Sequence, residues 1–153
     1  MAFIGIVGAR RFKDRHAVDD LVERLATDTI IVTSGCKGVC TWASEKARER
    51  DLEVVVYSPD LTDIKAWFEV AKRYYERNRE LIEHCDLVHT FFSREHGYTG
   101  GTRFEADYAL RLGKPVVVHG EHEATELICQ SSLPFREPYS IERDWLEFFK
   151  QAL

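Results

Sequence analysis

Four segments of the chain hold residue types that suit an anionic ligand and some chemistry upon it. Gly8-Ala9-Arg10-Arg11-Phe12 follows a short apolar run, and Thr33-Ser34-Gly35-Cys36-Lys37-Gly38 follows another. In the second segment two glycines, Ser34 and Lys37 stand directly before a helical pattern. Glycines let backbone N–H groups approach an anion, and a helix N-terminus adds partial positive charge. The competing reading is an ordinary Gly-rich turn. Arg77-Asn78-Arg79 supplies two further cations, although Glu76 and Glu80 beside them would equally suit a solvated helix face. The fourth segment, Tyr98-Thr99-Gly100-Gly101-Thr102-Arg103-Phe104-Glu105, opens another helical pattern. Gly100, Gly101 and the Thr102 hydroxyl can hold a phosphate or a sugar there. Glu105, one turn in, is the carboxylate best placed for chemistry; otherwise it only offsets the helix dipole, worth ~0.3–1 kcal/mol.

Other chemistries fit less well. GxxxxGK[ST] is absent, and Gly5-Ile6-Val7-Gly8 has Val7 where the dinucleotide fingerprint needs its second glycine. Cys36-x3-Cys40 is one loose pair, whereas structural zinc sites show paired short spacings, so no metal and no cofactor are expected. Cys36 before a helix is a second reading, as a reactive thiol. His84 and His89 flank the start of an apolar run and are assigned to packing. No Ser–His–Asp order can be tied to these segments.

The elements that must position these residues are legible in the apolar pattern. Phe3–Val7, Thr29–Thr33, Leu52–Tyr57, Leu87–Phe92 and Pro115–His119 read as five strands. Helical patterns lie between them at about 15–26, 41–50, 64–84 and 102–112. Strands separated by single helices need crossover connections, which are right-handed and give a parallel sheet covered on both faces. The expected fold is therefore α/β: a Rossmann-like three-layer sandwich with a mainly parallel, about five-stranded sheet. Ligands of such sheets bind beyond the strand carboxyl ends, at the point where the winding reverses.

The third segment is placed by length. A strand of about six residues spans roughly 20 Å, and a helix needs about 13 residues to return over that distance. Counting back from Asp86 starts the helix near Arg73 and puts Arg77 and Arg79 near its crevice end, with Asp60–Lys72 as an excursion above the sheet. Gly120–Pro138 reads as a loop with a short helix near Glu123–Cys129. Ser140 caps a final helix with Ile141, Trp145, Phe148 and Phe149 on one apolar face, which packs on its own domain or against a second copy.

Composition bounds the rest. The 153 residues make room for one domain, 1–153, with a core at 3–119 and a C-terminal loop and helix at 120–153. Hydrophobic residues form 44% of the chain, enough for a real core. Twenty-one Lys and Arg against 26 Asp and Glu leave a net charge of −5, which counts against nucleic acid as a partner. No apolar run reaches the ~18 residues of a membrane span, and the N-terminal run is too short for a signal peptide. Cys36, Cys40, Cys85 and Cys129 then read as reduced thiols of a cytoplasmic protein.

Taken in order, these segments resemble the SLOG superfamily of Rossmann-like proteins, which includes the LOG ("lysine decarboxylase-like") nucleotide hydrolases, the DNA-processing protein DprA and the molybdenum-cofactor carrier-like proteins. The resemblance covers roughly residues 3–119 and is closest to small stand-alone members with an RN-R/K-type helix and a GGTR turn. It rests on Gly8-Ala9-Arg10, Ser34-Gly35 with Lys37-Gly38, Arg77-Asn78-Arg79, and Gly100-Gly101-Thr102 with Glu105, followed by Ala109 and Gly113-Lys114-Pro115-Val116. LOG-type enzymes use PGGxGTxxE with an arginine to bind a nucleoside 5′-monophosphate and hydrolyse its N-glycosidic bond. The resemblance implies that Thr102 matches the motif threonine, Glu105 its final glutamate, and Arg77 or Arg79 the arginine. This chain reads Tyr98-Thr99-Gly100-Gly101-Thr102, without the leading proline and without a residue between the glycine pair and the Gly-Thr step.

A nucleotide or nucleotide-derived phosphorylated ligand is accordingly expected in the crevice, bound by a sensor or a low-turnover enzyme. The alternative is an N-glycosidase releasing base and ribose 5-phosphate. In either case Gly8, Arg10, Arg11, Ser34, Gly35, Lys37, Gly38, Arg77, Asn78, Arg79, Gly100, Gly101 and Thr102 are the expected ligand contacts. Phe12, Trp42 and Tyr98 are the aromatics available to stack on a base. A carboxylate such as Glu105 would stabilise oxocarbenium character at C1′, orient water or attack directly. The resemblance also implies a homodimer.

Overall fold

A computed structural model describes residues 1–95, 97 and 100–121, together with the backbone of 126–128. Ten elements follow in chain order: β1 Phe3–Gly8, α1 Arg15–Arg24, β2 Ile30–Ser34, α2 Val39–Glu49, β3 Glu53–Tyr57, α3 Trp67–His84, β4 Leu87–Phe92, α4 Gly100–Arg111, β5 Val116–Gly120 and β6 Glu126–Ile128. The six strands form one sheet of order β3-β2-β1-β4-β5-β6. The first five strands run parallel, with registers such as Gly5↔Val32, Gly5↔Val88, Val32↔Val55 and Val88↔Val116. This is the Rossmann-like α/β arrangement expected from the alternation of strands and helices.

Consecutive residues on each strand serve opposite layers, as the pleat requires. Ile6, Ile31 and Phe91 pack with Val18, Leu21 and Val22 of α1 and Val39, Ala43 and Ala47 of α2. Their neighbours Val7, Val32 and Phe92 pack on the other face with Leu81 and Ile82 of α3 and Ala106, Ala109 and Leu110 of α4. The crossovers change sides between β3 and β4, so the winding reverses between β1 and β4. Asp14 begins α1 by accepting the Ala17 N–H at 3.3 Å. Among the described residues no helix is long and apolar enough to cross a membrane.

Three expectations need correction. The sheet has a sixth strand: β6 pairs antiparallel with β5 through Val116↔Ile128 and Val118↔Glu126, inside the stretch expected to be loop or short helix. A three-residue strand has no periodicity to read, and pairing with a distant edge decides its backbone. Helix α3 begins at Trp67, six residues before Arg73. Its 18 residues span about 27 Å, longer than the strand they return along, because the first turns project beyond the sheet. Helix α4 begins at Gly100, so both glycines lie within its first turn rather than ahead of it. The final helix expected after Ser140 lies outside the described residues.

Candidate functional site

The reversal between β1 and β4 opens a pocket at the strand carboxyl ends, and backbone contacts hold its rim. Gly8 ends β1 where a Cβ would come within 2.7 Å of Val39 Cγ2 and 2.9 Å of Phe91 Cβ. Only a glycine lets α2 and β4 close this tightly on the strand end. Ala9 then donates its N–H to the Phe91 carbonyl at 3.0 Å, which extends the β1–β4 pairing and turns Arg10 towards the crevice. Gly38, the N-cap of α2, has φ +88°, and a Cβ there would lie 3.3 Å from the Arg10 carbonyl oxygen. Both the backbone sign and the close approach require glycine at that position.

The pocket is a small cleft with a cavity volume of about 50 Å³ and a mouth open to solvent. Gly8, Ala9 and Arg10 form one wall, and Cys36 of the β2–α2 loop lies beside them. Tyr74, Arg77 and Asn78 of α3 form the second wall; Gly101, Thr102 and Glu105 of α4 close the third. Seven of the residues expected from sequence therefore meet here: Gly8, Arg10, Arg77, Asn78, Gly101, Thr102 and Glu105.

Arg77 is the fixed cation of the pocket. It is 5% exposed, and its guanidinium is held from three sides. Nε donates to Asn78 Oδ1 at 2.8 Å, Nη1 to the Tyr57 carbonyl at 3.4 Å and Nη2 to Cys36 Sγ at 3.7 Å. The group also lies over the Tyr74 ring, 5.2 Å from its centroid. Arg10 reaches the same sulfur, with Nη2 at 4.0 Å. Two guanidinium groups on separate elements therefore converge on one point of the pocket wall.

Glu105 is the only carboxylate among the described residues that lines the pocket. Among the described residues its carboxyl has no hydrogen-bond or salt-bridge partner. Burial pushes its pKa up to about 7, against the opposing pull of Arg77. An acid at that value can give or take a proton near neutral pH.

The other expected residues lie elsewhere. Arg11 is exposed and faces Glu95 at 3.8 Å. Arg79 is exposed on α3, its guanidinium over the Phe104 ring at 5.7 Å. Ser34 is buried, accepts the Cys36 N–H at 3.3 Å and donates to Cys40 Sγ at 3.2 Å. Gly35 and Lys37 are exposed on the loop and do not line the pocket, nor do Gly38 and Gly100. Phe12 is 2% exposed, with its ring edge-on to Phe91 inside the core, so it has no face to offer a base. Trp42 packs half-buried against the same core. Tyr98 lies outside the described residues.

Sequence reasoning did not assign Cys36 and Tyr74 to the pocket. Tyr74 stands three residues before Arg77 on α3, so helical spacing was the available signal. His84 and His89 serve packing, as expected. His84 Nδ1 pairs with the Tyr57 hydroxyl at 2.8 Å, and His89 Nδ1 lies 2.9 Å from His119 Nε2. Among the described residues no group of three or more His, Cys, Asp and Glu is arranged to hold a metal ion. No family model matches the chain, and no curated protein or solved structure matches it either.

Proposed function

We propose that the protein binds a nucleotide or nucleotide-derived phosphorylated ligand in the pocket between β1 and β4. The observation that carries this reading is the convergence of Arg10 and Arg77 beside the N-terminal turn of α4. Arg77 is buried and oriented by Asn78 and Tyr57 before any ligand arrives. A phosphate placed between the guanidiniums would accept charge-assisted hydrogen bonds, and the first turn of α4 with Thr102 adds backbone donors at a positive helix end. Tyr74 offers the aromatic wall for the base or ribose. The test is calorimetric titration with nucleoside monophosphates, ADP-ribose and ribose 5-phosphate, repeated with Arg77→Met. Equal binding by both proteins would refute the site.

One observation favours an enzymatic version, in which the bound nucleoside monophosphate loses its base by N-glycosidic hydrolysis. Glu105, in the same pocket, is a carboxyl without a hydrogen-bond or ion-pair partner among the described residues, and burial pushes its pKa up to about 7. Its ionised form would stabilise the oxocarbenium centre and take a proton from the attacking water; its protonated form would give one to the departing base. Chromatography of free base released from the same panel decides, with Glu105→Gln as the control. Base release that persists in that variant removes Glu105 from the chemistry.

A further inference from the structure

We propose that Cys36 is an oxidation site that controls the pocket: a hydroperoxide converts its sulfur to a sulfenic acid, and the new oxygen takes the anion position between Arg10 and Arg77. The consequence for binding rests on the phosphorylated-ligand reading above; the oxidation does not.

The geometry separates Cys36 from the other described cysteines. Cys40 and Cys85 are buried, while Cys36 is partly exposed on the pocket wall. Burial pushes the Cys85 thiol up to about 12 and raises that of Cys40 as well, which leaves both as inert packing groups. Cys36 instead faces Nη2 of Arg77 at 3.7 Å and Nη2 of Arg10 at 4.0 Å. A guanidinium only donates hydrogen bonds. Two of them beside one sulfur can hold the departing oxygen of a peroxide. Arg77 owes its position to Asn78 and Tyr57 as well as to the sulfur, so it remains in place when the sulfur changes.

The step balances without any other reactant. The Cys36 sulfur attacks one peroxide oxygen, the S–O bond forms and the O–O bond breaks. The second oxygen leaves with the thiol proton as water or an alcohol. Sulfur loses two electrons and the peroxide gains them. Cys40 does not intercept the product, because its sulfur is buried beneath the loop and accepts the Ser34 hydroxyl. The sulfenic oxygen then lies where a phosphate oxygen would, so oxidised protein excludes the ligand until a small thiol reduces it.

The test treats the full chain, with Cys129→Ser in every protein, with hydrogen peroxide and dimedone and follows each cysteine by peptide mass spectrometry. Cys36 should be labelled at least ~10-fold faster than Cys40 and Cys85. Inorganic phosphate should slow the labelling, and so should Arg10→Gln. Peroxide should abolish ribose 5-phosphate binding in this background and leave the affinity of the additional Cys36→Ser variant as it was before treatment. Equal labelling rates, labelling indifferent to Arg10→Gln, or a Cys36–Cys40 disulfide in place of the adduct would overturn the proposal. Reduced protein that binds no ribose 5-phosphate would count against the ligand reading alone, since the labelling rates still decide the role of Cys36.

Discussion

Arg77 Nη2 lies 3.7 Å from Cys36 Sγ, joining α3 to the β2–α2 loop across 41 residues of sequence. The contact spans the point where the sheet reverses its winding, so a side chain joins the backbone contacts of the rim in fixing the mouth of the pocket. A buried cation there is costly unless its donors are occupied. Asn78, the Tyr57 carbonyl and the Cys36 sulfur each take one of them; an anion would take others of the five N–H donors.

Arg77 and Arg79 should therefore behave differently although they stand two residues apart. Arg77→Met leaves the Tyr57 carbonyl and Asn78 Oδ1 without their donor, at a cost of about 1–3 kcal/mol in stability. It should also weaken phosphorylated ligands by at least ~10-fold, the loss of one charge-assisted hydrogen bond. Arg79→Ala removes an exposed group and should change stability by less than about 0.5 kcal/mol, with ligand affinity unchanged. Urea denaturation and calorimetry on both variants check the contrast.

Glu105 ties the site to stability through pH. Its folded pKa of about 7 lies above the ordinary 4.5, so the folded protein keeps a proton that the unfolded chain releases. Stability from this group is complete below pH 4.5 and is lost as pH rises through 7. Glu105→Gln should match wild type near pH 4 and exceed it at pH 8, by on the order of 2 kcal/mol. Thermal melts at the two pH values measure this. A variant less stable than wild type at pH 8 would show that the carboxylate has a partner when ionised.

Much of this site was legible because buried parallel strands are continuous apolar runs, and their crossovers dictate where loops converge. Gly8, Arg10, Gly101 and Thr102 could be placed from topology alone. Side-chain direction could not always be placed. Arg10 turns into the crevice while Arg11 turns out to Glu95, a choice made by the turn after Ala9. Arg77 could have been preferred to Arg79, since it stands one turn before buried Leu81. Ser34 suited an anion by type, yet Cys36 N–H and Cys40 already engage its hydroxyl. That local arrangement depends on the loop conformation, which composition does not encode.

The His89–His119 pair should give stability the opposite pH dependence. Burial pushes His89 down to about 3 and His119 down to about 4, from an ordinary 6.5, and His119 also stacks on Phe91 at 4.3 Å. Both stay neutral in the fold while the unfolded chain protonates them. Their contribution is intact above pH 6.5 and falls as pH drops towards 4 and 3, by about 1.4 kcal/mol per pH unit for each group. Between pH 6.5 and 4.5 Glu105 gains about as much as one histidine loses, which offsets half of the slope. The acid loss should therefore be about twice as steep in Glu105→Gln as in wild type, read from chemical denaturation at half-unit pH steps.

Gly8 links core packing to the pocket, and one methyl group should disturb both. In Gly8→Ala the new Cβ meets Val39 Cγ2 at 2.7 Å and Phe91 Cβ at 2.9 Å, closer than carbon atoms approach. Neither neighbour is the free end of a flexible chain: Val39 begins α2, and the Phe91 Cβ is fixed to β4. Overpacking of this kind costs about 1–3 kcal/mol. The strain is relieved most readily by moving the start of α2 away from β1, which carries Cys36 away from Arg10. Gly8→Ala should then be destabilised and bind phosphorylated ligands more weakly, while Val39→Ala added to it restores part of both losses. Denaturation and titration of the single and double variants measure the coupling. Simple additivity of the two substitutions would show that Val39 is not what Gly8 makes room for.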